Sequence, residues 1–324
     1  MAPSEPAAPR VGVTPIRETA ALTRRITLLS VATASILTAV KLAAWLAGGS
    51  VALLASLADS ALDVAAALAT FFAVRLAVTP PDKEHRFGHG KAEAFASLLQ
   101  AGLVFASAAL IAREAVVRLI HPEPVGAELW GVAVLMLSLV LTAGLIFLQG
   151  QVLARTSSVA VSGDRAHYAA DLASNLAALI GIAAAAWLHE PRWDAGAGLF
   201  VALWLVWGAI QVLRDATNHL MDHELGDVER EAIVGAVLRD RRIHDVHELR
   251  TRASGPGIHI QMHINLDPEL SLDDAHQILV AAERRVLAIF PAADLLIHAD
   301  PEGRAEQHSA FGEEKRDAPL PTEG

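Results

Sequence analysis

Ser56-Leu57-Ala58-Asp59-Ser60-Ala61-Leu62-Asp63 is the stretch whose reading decides the fold. It lies inside an apolar run, residues 50–77, long enough to cross a bilayer, yet it carries two carboxylates. An ionised Asp near the bilayer centre costs about 3 kcal/mol or more, so two unpaired ones should not persist there. Asp59 and Asp63 are four residues apart, which puts them on one helix face a turn from each other. Like charges that close repel unless a proton or a cation sits between them.

A second apolar run, residues 157–188, contains His167-Tyr168-Ala169-Ala170-Asp171, so His167 and Asp171 repeat the same spacing. Asp59 lies nine residues into its run and His167 ten into its own. At ~1.5 Å rise per residue both reach about 13–15 Å into a core of ~30 Å, near the midplane. Three carboxylates and one imidazole at matched depth suit a tetrahedral oxygen/nitrogen site for a divalent metal. The plainer alternative is two unrelated polar pairs, each facing a water-filled crevice or a neighbouring helix.

The rest of the 324-residue chain supports a membrane protein. It is 53% hydrophobic with mean hydropathy +0.39, and the apolar residues are concentrated before about residue 220. Zero cysteines exclude disulfides and thiolate ligands, which disfavours a soft-metal site. A net charge of −10, mostly from the C-terminal part, argues against nucleic acid as a partner. Residues 1–18 lack the apolar core of a cleavable signal peptide and read as a short disordered arm.

Six apolar segments follow: 24–48, 50–77, 92–120, 125–153, 157–188 and 194–213. Ala47-Gly48-Gly49-Ser50 makes the first turn, and His121-Pro122-Glu123-Pro124 and Glu190-Pro191-Arg192 break others. Basic residues set the orientation. Arg10, Arg17, Arg24 and Arg25 precede the first span, Arg75, Lys83, Arg86 and Lys91 surround the second connection, and Arg155 and Arg214 mark the fourth connection and the end of the sixth span. The opposite connections carry only Arg118 and Arg192 at their edges, so both termini are expected in the cytoplasm. Lys41, inside the first span, and Asp194, at the start of the sixth, receive no role from this reading.

After Asp222 the pattern becomes that of a soluble domain. Residues 228–239 read as an amphipathic helix, and 244–252 and 258–266 as strands around Ser254-Gly255-Pro256-Gly257. Ser271-Leu272-Asp273-Asp274 caps a helix running to about Ile289, and 293–298 form a last strand. This αββαβ order predicts a small α+β sandwich, three strands with two helices on one face. The expected fold is thus six transmembrane helices followed by that domain. Its boundaries are an arm at 1–23, a membrane domain at 24–215, the α+β domain at 216–301 and a disordered tail at 302–324.

Two further clusters carry metal-binding residue types. Asp82, His85 and His89, in the second connection, have spacings of three and four, and Gly88 and Gly90 let the backbone wrap. A solvated polar loop explains them nearly as well. His259, Gln261 and His263 share a strand face by period two, as do His298 and Asp300; His247 sits on the partner strand and His276 on the second helix. Such a sheet binds zinc-like ions or serves as a polar interface.

Taken in order, the 56–63 stretch, Phe87-Gly88-His89-Gly90-Lys91-Ala92-Glu93, His167-Tyr168-Ala169-Ala170-Asp171 and His247-Glu248-Leu249-Arg250-Thr251-Arg252 resemble the cation diffusion facilitator family, in its bacterial zinc and ferrous-iron efflux branch. The likeness covers about residues 24–301. It implies a homodimer in the inner membrane that exchanges divalent metal, Zn2+ or else Fe2+, Cd2+, Mn2+ or Co2+, for protons. It implies that Asp59, Asp63, His167 and Asp171 form the transport site and that Asp82, His85 and His89 form a loop site. It further implies that His247, His263, His276, His298 and Asp300 form a cytoplasmic site at the dimer interface. Lys91 and Asp222 match a charge interlock, while His219, His223, His244 and His259 remain as surface residues. The rival functions are a membrane-anchored metal sensor and a membrane-embedded metalloenzyme. The enzyme would need an open coordination position and a general base, and the chain has no His-Glu-x-x-His sequence.

Overall fold

The computed structural model describes residues 11–48, 51–120, 129–188 and 192–304. The turn at Gly49 and Ser50, the breaks at Pro122, Pro124 and Pro191, the side chain of Asp194 and the tail from residue 305 lie outside these residues. The chain forms two compact units. One holds Arg17–Met221; the other joins the segment leading up to Ile16 with the chain from Asp222 onward.

The first unit is built from six long helices: α1 (Ile16–Gly48), α2 (Val51–Ala77), α3 (Ala92–Ile120), α4 (Leu129–Thr156), α5 (Val159–Leu188) and α6 (Arg192–Leu220). Five of them are long and apolar enough to cross a membrane by themselves. The other, α5, carries Asp164, Arg165, His167 and Asp171 in its first half. Large apolar side chains such as Leu110, Phe147, Phe200 and Leu203 point outward, as expected of helices whose solvent is lipid.

Inside the unit, Val104 and Ala108 of α3, Ala170 of α5, and Leu205 and Ala209 of α6 form one buried cluster. Ile26 of α1, Leu145 of α4 and Val161 and Tyr168 of α5 form another. Small residues set how closely the helices approach. At Gly163 a Cβ would stand 2.9 Å from Ser97 Oγ and 3.0 Å from Ser97 Cα, so α5 crosses α3 there almost backbone to backbone.

The second unit has the expected αββαβ order: α7 (Asp227–Val237), β1 (Asp245–Ser254), β2 (Gly257–Leu266), α8 (Leu272–Ile289) and β3 (Ala293–Pro301). The sheet order is β1-β2-β3, antiparallel between β1 and β2 and parallel between β2 and β3, with α8 as the crossover. Alternate β2 residues Ile258, Ile260, Met262, Ile264 and Leu266 meet Ile233 of α7 and Ile278, Ala282 and Val286 of α8 in the core. Ser271 caps α8, its Oγ accepting from the Asp274 amide at 3.1 Å.

Two expectations at the chain's ends are corrected. Helix α1 begins at Ile16, so the arm is shorter than the disordered stretch read from composition. Residues just before it are ordered on the soluble unit: Val11 packs against its core, and the Ala292 amide donates to the Gly12 carbonyl at 3.2 Å. At the other end, Glu302 belongs to the domain, its amide bonding Leu266 O at 2.8 Å and its carboxylate meeting His244 Nδ1 at 2.8 Å. Composition gave no hint of either, because a single packed turn has no periodicity.

Gly12 is required where it stands. Its φ is +79°, and a Cβ would lie 2.8 Å from Ile258 Cδ1, which is backed by the buried sheet. Gly12→Val is expected to release the segment from the domain, seen as new protease cleavage within residues 10–16. Cleavage unchanged from wild type would show that the segment tolerates a side chain and is not held there.

Candidate metal centres

Near the middle of α2 and α5, Asp63, His167 and Asp171 converge, each offering a ligand atom within 4.8 Å of the others. His167 Nε2 lies 3.1 Å from Asp63 Oδ1 and 3.7 Å from Asp171 Oδ2, and the ring is buried. The neighbouring Tyr168 stands edge-on to the imidazole and anchors the helix by donating to the Ser30 carbonyl at 3.0 Å. Among the described residues His167 Nδ1 is buried with no hydrogen-bond partner, while Nε2 faces the carboxylates of Asp63 and Asp171.

Asp59 is not part of this trio, yet it lines the same cavity of about 200 Å3 as Asp63 and Asp171. Three of the four expected transport-site residues are thus drawn together, and the fourth lines the same cavity.

One turn before His167 lies a polar group that the sequence reading missed. Asp164, 1% exposed, accepts from Ser30 Oγ at 2.7 Å, Gln149 Nε2 at 2.8 Å and Gln100 Nε2 at 3.3 Å. These donors come from α1, α4 and α3, so one carboxylate ties four helices together. Glu93 is buried likewise, taking the Ser158 hydroxyl at 2.6 Å. The available signal was the pair of glutamines, Gln100 and Gln149, inside otherwise apolar runs.

The connection between α2 and α3 brings Asp82, His85 and His89 together as expected. Asp82 Oδ2 lies 3.3 Å from His89 Nε2, and Oδ1 lies 3.6 Å from His85 Nδ1. The Asp82 carboxylate also caps its own loop, accepting from the amides of His85 at 2.6 Å and Glu84 at 2.9 Å. The His85 amide is the chief cause that holds the Asp82 carboxyl below its usual range, so it is ready to take a cation at neutral pH. Gly88, at φ +80°, turns the chain so that His89 faces back.

In the soluble unit the register puts His247, His263 and His298 side by side across all three strands. Asp300, buried and two residues beyond His298, meets His263 Nδ1 at 3.0 Å, His247 Nε2 at 3.1 Å and His298 Nε2 at 3.3 Å. His247, His263 and Asp300 satisfy the 4.8 Å condition as a group. Burial tends to raise the Asp300 carboxyl, but the His263 hydrogen bond and the charges of His263, His298 and His247 outweigh it and hold it low.

His276 does not join them; it is exposed on α8 and outside the group. Glu248 stands closer, 3.9 Å from His263 Nε2. The β-bulge between His247 and Arg250, with Glu248 at φ +48°, turns that carboxylate toward the histidines. No sequence spacing announces it.

Lys91 Nζ donates to the Leu220 carbonyl at 3.2 Å, and Asp222 takes Arg252 at 3.1 Å. Two of the four histidines left as surface residues are less exposed than that: His219 is half-buried on α6, and His259 is mostly covered beside Asp294.

Helices of this length and apolarity around a carboxylate–imidazole cluster, followed by a small α+β unit, define a multi-pass membrane protein with the donor set of a cation site. Residues 27–221 match the cation efflux transmembrane domain and residues 225–302 the cytoplasmic domain of cation efflux proteins. A cation-efflux pump FieF of Cronobacter sakazakii is 39% identical over 86% of this chain and 93% of its own length. That of Shewanella oneidensis is 40% identical over 84% and 92%. The metal-bound C-terminal domain of the CzcD transporter from Thermotoga maritima aligns at 29% identity over 24% of this chain and 93% of its own, with a TM-score of 0.24. The chain belongs to the cation efflux, or cation diffusion facilitator, family, a family of transporters.

Proposed function

We propose that this chain is a divalent metal cation/proton antiporter that exports Zn2+, or else Fe2+, Cd2+ or Mn2+, from the cytoplasm. The observation that carries the reading is the convergence of Asp63, His167 and Asp171 within helices α2 and α5, with Asp59 on the same cavity. Carboxylates set among membrane-spanning helices need a cation or protons, and the exchange of one for the other is transport.

Metal enters from the cytoplasm and is coordinated by the carboxylates of Asp59, Asp63 and Asp171 and by neutral His167. On the outward-facing side protons compete for the same lone pairs and displace it. The protonated site then returns, and helix rocking about the midplane supplies alternating access. A mostly oxygen site with one nitrogen orders affinity as Zn2+ over Fe2+ and Mn2+.

The residues of the soluble unit fit a divalent ion: His247, His263 and Asp300 converge, and His247 Nδ1 is buried without a hydrogen-bond partner. They would hold it as a structural ion at a homodimer interface, in keeping with a cytoplasmic-domain family labelled for dimerisation. Asp82, His85 and His89 would gather metal near the membrane. In this reading both termini are cytoplasmic and the membrane is the inner one. A sensor merely anchored in the membrane would not need the intramembrane trio.

The test is flux in proteoliposomes of the whole chain, with a metal dye and a pH dye. An imposed proton gradient is expected to drive Zn2+ in the opposite direction, with protons moving inward as metal leaves. Metal movement that carries no protons at any imposed gradient would rule out antiport.

A further inference from the structure

Lys41 lies well inside α1, in an otherwise apolar stretch, where a charged side chain is costly. It does not face lipid alone, because it lines the same cavity of about 200 Å3 as Asp59, Asp63 and Asp171. Its Nζ donates to Ser60 Oγ at 2.5 Å. One turn earlier on α1, Thr38 Oγ1 donates to the Ser60 carbonyl at 3.0 Å. Two residues of α1 thus grip α2 at one point, which directly follows Asp59 and lies one turn before Asp63. Through Ser60 the ammonium is held at the residue that follows Asp59, and Asp59 is the carboxylate outside the trio of Asp63, His167 and Asp171.

The charge count gives this placement a meaning. Three aspartates with a neutral His167 carry −3, and a divalent cation alone leaves the loaded site at −1. Lys41 adds +1, so the loaded cavity is neutral. A low-dielectric interior penalises residual charge heavily, and a neutral loaded site is the state that crosses most readily. The same ammonium repels the metal, which weakens its binding and eases its release.

We propose that Lys41 is the built-in counter-cation of the transport site, neutralising the loaded cavity and competing with the bound metal for Asp59. The inference rests on the metal-transport reading above.

The experiment compares Lys41→Gln and Lys41→Arg with wild type in the full chain. It uses Zn2+ titration in detergent and Zn2+ uptake into proteoliposomes. Loss of a like charge across a few ångströms of protein is expected to tighten transport-site binding about tenfold or more in Lys41→Gln. The half-saturating concentration should fall and the maximal rate should fall with it. Lys41→Arg should remain within about threefold of wild type, since it keeps the charge. Adding Asp59→Asn to Lys41→Gln restores the charge sum but also removes a ligand, so the tightened binding should loosen to the wild-type level or below it.

Thermal unfolding of the helical signal in the same detergent, unchanged from wild type, reports that the six-helix unit of each variant is folded. Equal or weaker transport-site binding in folded Lys41→Gln overturns the role of the lysine. A Lys41→Gln variant too unstable to titrate leaves Lys41→Arg decisive, and a failed Arg variant that cannot bind Zn2+ overturns the charge argument. If wild type itself binds no Zn2+ beyond its cytoplasmic and loop sites, the transport reading falls instead.

Discussion

Asp63→Ala and His167→Ala are each expected to abolish metal transport, lowering the rate on the order of 100-fold or more, since even the loss of an outer partner of a metal ligand costs 10–100-fold. Both side chains are held where they are needed. His167 is buried with Nε2 aimed 3.1 Å from Asp63 Oδ1, so removing either leaves the other without its counterpart. Asp63→Ala also removes one of several crowded negative charges, so the empty protein should not lose stability through repulsion. His167→Ala removes a half-ring of packing around Tyr168 and should cost about 1–3 kcal/mol of stability. Expression, membrane insertion and zinc binding by the His247, His263 and Asp300 cluster should persist in both variants. Transport at the wild-type rate in either variant would remove these residues from the pathway. Loss of transport together with loss of the helical unit's thermal unfolding transition would mean misfolding rather than a lost ligand.

These residues were legible because the membrane makes them so. A carboxylate in an apolar run is an exception that needs a cause, and i,i+4 spacing in two runs at equal depth points from one pair to the other. The α+β order was legible for a similar reason, since Ile258, Ile260, Met262, Ile264 and Leu266 alternate with polar residues and only one strand face can be buried. Asp164 was not, because its partners Ser30, Gln100 and Gln149 arrive from three other helices, and no spacing along one helix encodes that meeting. Glu248 was hidden by a backbone irregularity: a strand of strict period two would have placed it on the face opposite His247. His276 shows the converse. A histidine carried over by resemblance is a matter of position on a helix, and within one chain α8 sets it outside the group of His247, His263 and Asp300. Lys41 was visible as a charge in the first span, but what it faces is set by how α1 packs on α2.

Asp300→Ala is expected to lower zinc affinity of the cytoplasmic unit on the order of 100-fold or more while leaving the transport site able to bind. Asp300 is the hub of its cluster, within 3.3 Å of His247, His263 and His298 together. Without it the three imidazoles lose the carboxylate they share, and Glu248, 3.9 Å from His263 Nε2, is the nearest acidic group left to offset the charge of the ion. The variant should be measured in an Asp63→Ala background, so that intramembrane binding does not mask the loss. Acid supplies a second readout. The Asp300 carboxyl is held below its ordinary range, so its contacts with the histidines stabilise the folded unit above that range and are lost as pH falls through the lowered value. Asp300→Ala should flatten that acid limb of the unfolding curve. It should also raise the fraction of monomer when zinc is supplied, because the ion can no longer tie the unit together. Unaltered zinc affinity with an unaltered acid limb would mean that the three histidines bind the ion by themselves, and that Asp300 is only a polar residue buried beside them.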